Sequence, residues 1–165
     1  MRAVFAFLAS LAVILTVAVA SASAISQPQT FSVLEVDESD ASVSLGFDFQ
    51  RLPKPGDRFG FKSGLYKRAG RTRGARIGHD EGLCTFTRAS ADQQNFSADG
   101  LCTASAFLPG GQIHVQGFVH FADGPTRFDI PVIGGTGTYA GVRGFLRVRD
   151  LGNGDNSNLE FHLLP

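Results

Sequence analysis

From Ile25 onwards no long window carries apolar residues at three- and four-residue spacing. Segments rich in β-branched and aromatic residues are instead broken roughly every ten residues by turn signals such as Gly110-Gly111 and "ADGP" at 122–125, the rhythm of an all-β chain. The pattern predicts strands over 30–38, 42–50, 58–67, 75–89, 98–108, 112–122, 126–133, 141–150 and 157–164.

Hairpin registers follow from the turns, because slipping a strand by one residue would exchange its two faces. A two-residue turn at Gly110-Gly111 sets Leu108 opposite Ile113, Ala106 opposite Val115, Ala104 opposite Gly117 and Cys102 opposite Val119. The turn "ADGP" then sets Val119 opposite Phe128, Gly117 opposite Ile130 and Val115 opposite Val132, continuing one apolar face. The other face is mixed, with Thr103, Ser105, Phe107, His114, Phe118, His120, Arg127 and Asp129, and suits an outer wall partly covered by another subunit. Such a meander most simply closes into an up-and-down barrel, which removes sheet edges and encloses room for one small ligand. Cys84 and Cys102 lie symmetrically about Gln93 in the turn "SADQQN" and should face each other. In an oxidising compartment they form a disulfide; the alternative is a free Cys84 lining the pocket.

Residues 1–24 hold one charge, Arg2, an apolar run from Ala3 to Ala20 and the small-residue ending "SASA". This reads as a secretory signal peptide: the run is short, no basic stop-transfer cluster follows it, and no stable membrane insertion is expected after cleavage. What remains, 25–165, is 141 residues with 14 basic and 15 acidic, enough for a single domain with one core. That balance provides no field to recruit nucleic acid. The stretch "DRFGFKSGLYKRAGRTRGAR" holds seven of the basic residues, but without interleaved aromatics for base stacking it reads as a solvated hairpin around 69–72. Asn95-Phe96-Ser97 is a glycosylation sequon on a predicted turn.

The glycine-rich run "GGTGTYAGVRG" at 134–144 formally contains a dinucleotide-binding fingerprint in Gly135, Gly137 and Ala140. A helix must follow such a loop to hold the pyrophosphate, whereas "GVRGFLRVRD" alternates like a strand. Gly135 and Gly137 therefore read as a bend or bulge, with positive φ at one or more of these glycines. Glu35 and Asp37 share a strand face with Phe31 and Val33, so a carboxylate can point into an apolar lumen, where a raised pKa suits acid–base work. Most other carboxylates, including those of His79-Asp80-Glu81, read as rim or loop charges. His114, His120 and His162 fit no zinc spacing, so no metal is expected, and neither a hydrolase elbow nor a nucleotide loop points to a cofactor.

Three stretches, "GLC" at 82–84, "GGQIHVQG" at 110–117 and "GGTGTYAGVRG", resemble the allene oxide cyclase barrel superfamily over nearly the whole secreted part of the chain. Plant dirigent proteins share the pattern G-G-T-G-x-[FY]-x-x-x-R-G, met here with Tyr139 and Arg143, and bacterial spirotetronate cyclases are a more distant likeness. The resemblance implies an eight-stranded antiparallel barrel of lipocalin-like shape with an apolar pocket, assembled as homodimers or homotrimers. Nine predicted segments then exceed eight staves, so 42–50 joins a neighbour or lies outside the barrel. Matched position by position, the cyclase's pocket glutamate falls at Glu35 and its pocket cysteine at Cys84. Its asparagines fall at Asp37 and Ser63 and its pocket tyrosine at Val119, and the proline after its first strand has no counterpart near Ala41-Ser42.

The resulting expectation is a secreted barrel that holds a hydrophobic small molecule against Val115, Val119, Phe128, Ile130 and Val132 and steers its cyclisation or stereochemistry. Glu35, Asp37 and Arg143 are the polar groups expected to orient it or move a proton, and no cofactor is needed. The alternative is a non-catalytic lipocalin-like carrier or a defence protein that binds an apolar ligand.

Overall fold

Period-two alternation in every predicted segment demands an interior for one face, and the strands supply it by closing on themselves. The computed structural model describes residues 24–38, 43–45, 51–69, 72–90, 92, 96–122, 124, 126–152 and 156–165. Residues 1–23 of the expected leader, Asn95 and most of the segment 42–50 lie outside these residues. The strands are β1 (Gln29–Asp37), β2 (Val43–Leu45), β3 (Arg58–Ala69), β4 (Thr72–Ala89), β5 (Ser97–Leu108), β6 (Gly111–Ala122), β7 (Arg127–Gly135), β8 (Arg143–Asp150) and β9 (Asn156–Leu164). Eight of them form a closed antiparallel barrel in the order β1-β9-β8-β7-β6-β5-β4-β3, with β1 pairing back onto β3. Short β2 pairs with Arg58–Gly60, the stretch of β3 beyond the residues Ser63–Tyr66 taken by β1. It therefore continues the line of β1 rather than adding a ninth stave.

Parity is uniform around the barrel. Glu35, Ser63, Asp80, Cys84, Cys102, Val115, Val119, Ile130, Leu146 and Leu159 share the inner face through the registers that connect their strands. Val115 faces Val132 as the turn chemistry predicted. The β5–β6 register differs from the prediction by two residues, with Leu108 opposite Gly111 and Cys102 opposite Gly117. The tight turn is Pro109-Gly110: proline fixes φ at the first central position and Gly110, at φ +97°, supplies the positive φ of the second. A shift of two keeps every side chain on its face, so the apolar interior survives the correction.

Cys84 and Cys102 sit opposite each other with their Cα atoms 4.1 Å apart and are joined by a disulfide. The bridge spans 18 residues, and the chain-entropy estimate for such a loop is about 3 kcal/mol. Reduction, or the Cys84→Ala/Cys102→Ala pair, should lower the stability read from the urea midpoint by about that amount; an unchanged midpoint would show that the barrel does not depend on the bridge.

One end of the barrel is packed solid. Val33, Leu65, Ile113, Phe161 and Leu163 fill it, and Ile25 and Val142 cover it. The glycine-rich run forms this closure. It leaves β7 through a bulge opposite His114/Val115, makes one 3-10 turn at Gly137–Tyr139, lays Tyr139 against Phe31 at 6.4 Å and accepts the Ile25 N–H at the Thr138 carbonyl. It is a bend, as expected, and no helix follows it. Gly137 has φ +60°, and a Cβ there would stand 2.1 Å from the Gly110 carbonyl oxygen. Gly141 has φ +80° but faces open space. Gly141→Ala should thus cost only the left-handed backbone penalty, about 1–2 kcal/mol, whereas Gly137→Ala should cost clearly more because the clash is with backbone. Equal urea midpoints for the two variants would contradict the close approach.

Candidate functional site

The unfilled half of the barrel is a cavity of about 270 Å³ that opens at the end carrying the β4–β5, β6–β7 and β8–β9 connections. Its walls include the predicted Val115, Val119, Phe128 and Ile130, and also Phe59, Phe61, Phe121, Leu146, Val148 and Leu159. Small residues on the facing strands, Ala104 and Gly117, leave this space open. Cys84 lines it too, but as half of the disulfide, so its thiol chemistry is gone. Val132 is buried yet does not line the cavity; it belongs to the packed end, because the stagger of β7 carries it past the floor.

Two carboxyl groups meet on this apolar wall. Glu35 comes from β1, where it stands opposite Ser157 of β9 and Leu65 of β3. Asp80 comes from the middle of β4, opposite Ser63, which is itself opposite Asp37. Burial pushes the Glu35 carboxyl above its ordinary range and the nearby Asp37 charge adds to the rise, while hydrogen bonds from Asp80, Ser157 and Ser63 act against it. Asp80, only 5% exposed, is pushed up to about 9, first by burial, then by the charge of Glu35 and its hydrogen bond to that group. Two carboxylates this close in an apolar setting cannot both ionise cheaply, so the pair keeps at least one proton at neutral pH. The arrangement that satisfies both groups has the Asp80 hydroxyl donating to the Glu35 carboxylate. Oδ1 of Asp80 is buried and has no hydrogen-bond partner among the described residues.

Of the polar residues singled out in the sequence, Glu35 and Ser63 come together at this pair, and Asp37 lies beside them through its register with Ser63. Arg143 does not join them. It is exposed at the start of β8, on the face opposite to Leu146 and at the packed end, so its expected role in the lumen is corrected to an outer-wall position. Gly135 and Gly137 also belong to the packed end; Gly135 has no positive φ but lies so close to the Gln112 carbonyl that a Cβ would stand 2.6 Å from it. Asp80 was missed because His79-Asp80-Glu81 reads as one charged cluster. Strand parity separates it: His79 stacks on Phe107 outside, Glu81 pairs with Lys62 at 2.9 Å outside, and Asp80 points inward. No group of His, Cys, Asp and Glu that could hold a metal occurs among the described residues.

At the mouth, His120 and Arg88 both contact Asp99, at 2.7 and 2.6 Å, which holds the Asp99 carboxyl below its usual range. Three phenylalanines, Phe59, Phe86 and Phe121, make a ring cluster beside it with centroids 5.4–5.8 Å apart.

The family model described as "Allene oxide cyclase barrel like domain" matches residues 53–163. No curated protein matches the sequence significantly. Among solved structures, a pyocyanin demethylase superposes with a TM-score of 0.63 at 24% identity, covering 82% of this chain and 100% of that one. AbnU, an exo-specific intermolecular Diels-Alderase, gives 0.57 at 14% identity over 82% and 97%. A pterocarpan synthase dirigent protein gives 0.57 at 13% identity over 83% and 88%. At these identities the superpositions establish the shared barrel.

Proposed function

The chain belongs to the family of allene oxide cyclase barrel like domains, and from that premise we propose that it is a secreted barrel that binds a hydrophobic small molecule in its lumen and steers its cyclisation or stereochemistry. The observation that carries the reading is the pair Glu35–Asp80, two buried carboxyl groups hydrogen-bonded to each other on the wall of a largely apolar cavity. Apolar walls fold a flexible substrate into one geometry, and a donor–acceptor pair fixed on one side adds proton delivery or removal at a single position. The kinship supports the chemistry: proteins of this architecture include a Diels-Alderase, a dirigent protein and a demethylase, each named for an act on a small organic molecule.

Secretion is supported by the leader and by the disulfide, which persists in oxidising compartments. No helix among the described residues is long and apolar enough to cross a membrane. Assembly of two or three copies is supported by the outer wall, where Phe118, 68% exposed, stands opposite the exposed Leu101.

Native mass spectrometry of the protein purified gently from its producer tests the reading. One hydrophobic molecule per barrel is the expected result, together with loss of the leader and a dimer or trimer mass. A barrel that carries nothing and takes up no hydrophobic fluorescent probe overturns it.

A further inference from the structure

The lumen has a one-sided electrostatic character. Among the described residues its ionisable lining groups are Glu35, Asp80, Asp150 and His120, with no lysine or arginine. His120 is at the mouth, largely exposed and already engaged by Asp99, as is Arg88. Asp37 follows Glu35 on the same face of β1, one step nearer the open end, and its charge adds to the rise of the Glu35 carboxyl. Apart from Ser157 and Thr126 the remaining lining is apolar, and several of the side chains nearest the opening are phenyl rings. Asp80 Oδ1, meanwhile, is a buried acceptor whose partner is missing among the described residues. Asp80 lines the cavity, and a buried acceptor without a protein partner is satisfied by a donor that enters beside it, from water or from a ligand.

We infer that the lumen selects aromatic molecules that carry a hydrogen-bond donor and no negative charge, and that Asp80 Oδ1 receives that donor. The inference rests on the proposed binding of a small molecule in the lumen and narrows its chemical class. A phenol, a ring N–H or an ammonium group places its donor on Asp80 while its rings pack against Phe61, Phe121 and Phe128. A carboxylate of the same shape must be stripped of water beside two acids with no cation to receive it, and burying an unpaired charge is among the costliest steps in binding. The aromatic wall adds to the contrast, since ring faces attract cations and repel anions. Ionised long-chain carboxylates are thereby disfavoured as ligands of this barrel.

Calorimetric titration of the secreted protein at pH 7 with 2-naphthol, 2-naphthylmethylammonium and 2-naphthoate tests this, because the three share one aromatic body and differ in the charge at its tip. The neutral and cationic probes should bind at least tenfold more tightly than the carboxylate. In the Glu35→Gln/Asp80→Asn variant, checked for folding by its unchanged far-ultraviolet spectrum, that gap should narrow by about threefold or more, because the negative pair is gone while the desolvation cost and the aromatic wall remain. Naphthoate binding as tightly as naphthol in the parent overturns the charge selection and leaves the occupied lumen standing. A gap of unchanged size in the double variant overturns the assignment to Glu35 and Asp80. No saturable binding by any of the three removes the occupied lumen itself, and this inference with it.

Discussion

Glu35→Gln should lower turnover of the co-purified substrate by about two to four orders of magnitude while leaving its affinity within about threefold, the loss ordinarily seen when a positioned acid or base is removed. Glutamine keeps the shape of the side chain and can still bond to Ser157 and Ser63, the hydroxyl partners of Glu35, so the lumen keeps its form. What is lost is the ability to accept a proton. Asp80→Asn is the complementary change: its amide donates to Glu35 as the protonated acid does, but it has no proton to give up. The two variants should therefore fail alike in turnover and differ little in binding, and the double variant should be no worse than either, since the pair acts as a unit. Steady-state kinetics with a parallel binding titration separates the alternatives. Equal losses of affinity and turnover in both single variants would make the pair a binding device and the protein a carrier; unchanged turnover would leave templating by the walls as the whole mechanism.

The strands were legible in the sequence because alternation and turn chemistry pointed the same way at each boundary. The cysteine pair was legible from symmetry alone: positions equidistant from the middle of a hairpin must meet. Asp80 could have been found from the same fact, since a bridged Cys84 must face inward and a residue four positions earlier on the strand shares its face. The obstacle was reading three adjacent charges as one patch. Arg143 fails by the same parity, read from the inward-facing Leu146. Other features are invisible to alternation. Val132 and Ile130 share a face, yet only one touches the cavity, because the stagger of tilted strands decides how deep each residue sits. The plug at the packed end likewise draws on Ile25, Phe31, Leu65, Tyr139 and Phe161, remote in sequence and assembled by closure of the barrel.

A barrel that stores a protonated acid on its inner wall should be most stable on the acid side of neutrality and lose stability steadily as the pH rises. An unfolded chain releases the Asp80 proton near its ordinary value of 3.8, whereas the folded one holds it up to about 9. Between these values the folded state binds a proton that the unfolded state has given up, so each pH unit removes up to about 1.4 kcal/mol per proton. Glu35, also raised, adds to the slope with the same sign. On the acid side the sign reverses. Asp57, Asp99 and Asp129, held low by Arg51, Arg88 and Arg147, contribute stability above their unfolded values and lose it as the pH falls; these surface pairs, exposed or partly buried, are individually weak. The urea midpoint should accordingly peak near about pH 5 and decline through pH 9. In Asp80→Asn the decline should flatten, and at pH 9 the variant should outlast the parent although it carries no new contact. A parent curve that is level between pH 5 and pH 9 would mean that the two carboxyls are solvated in the lumen and share no proton, and the chemistry assigned to them would fall with it.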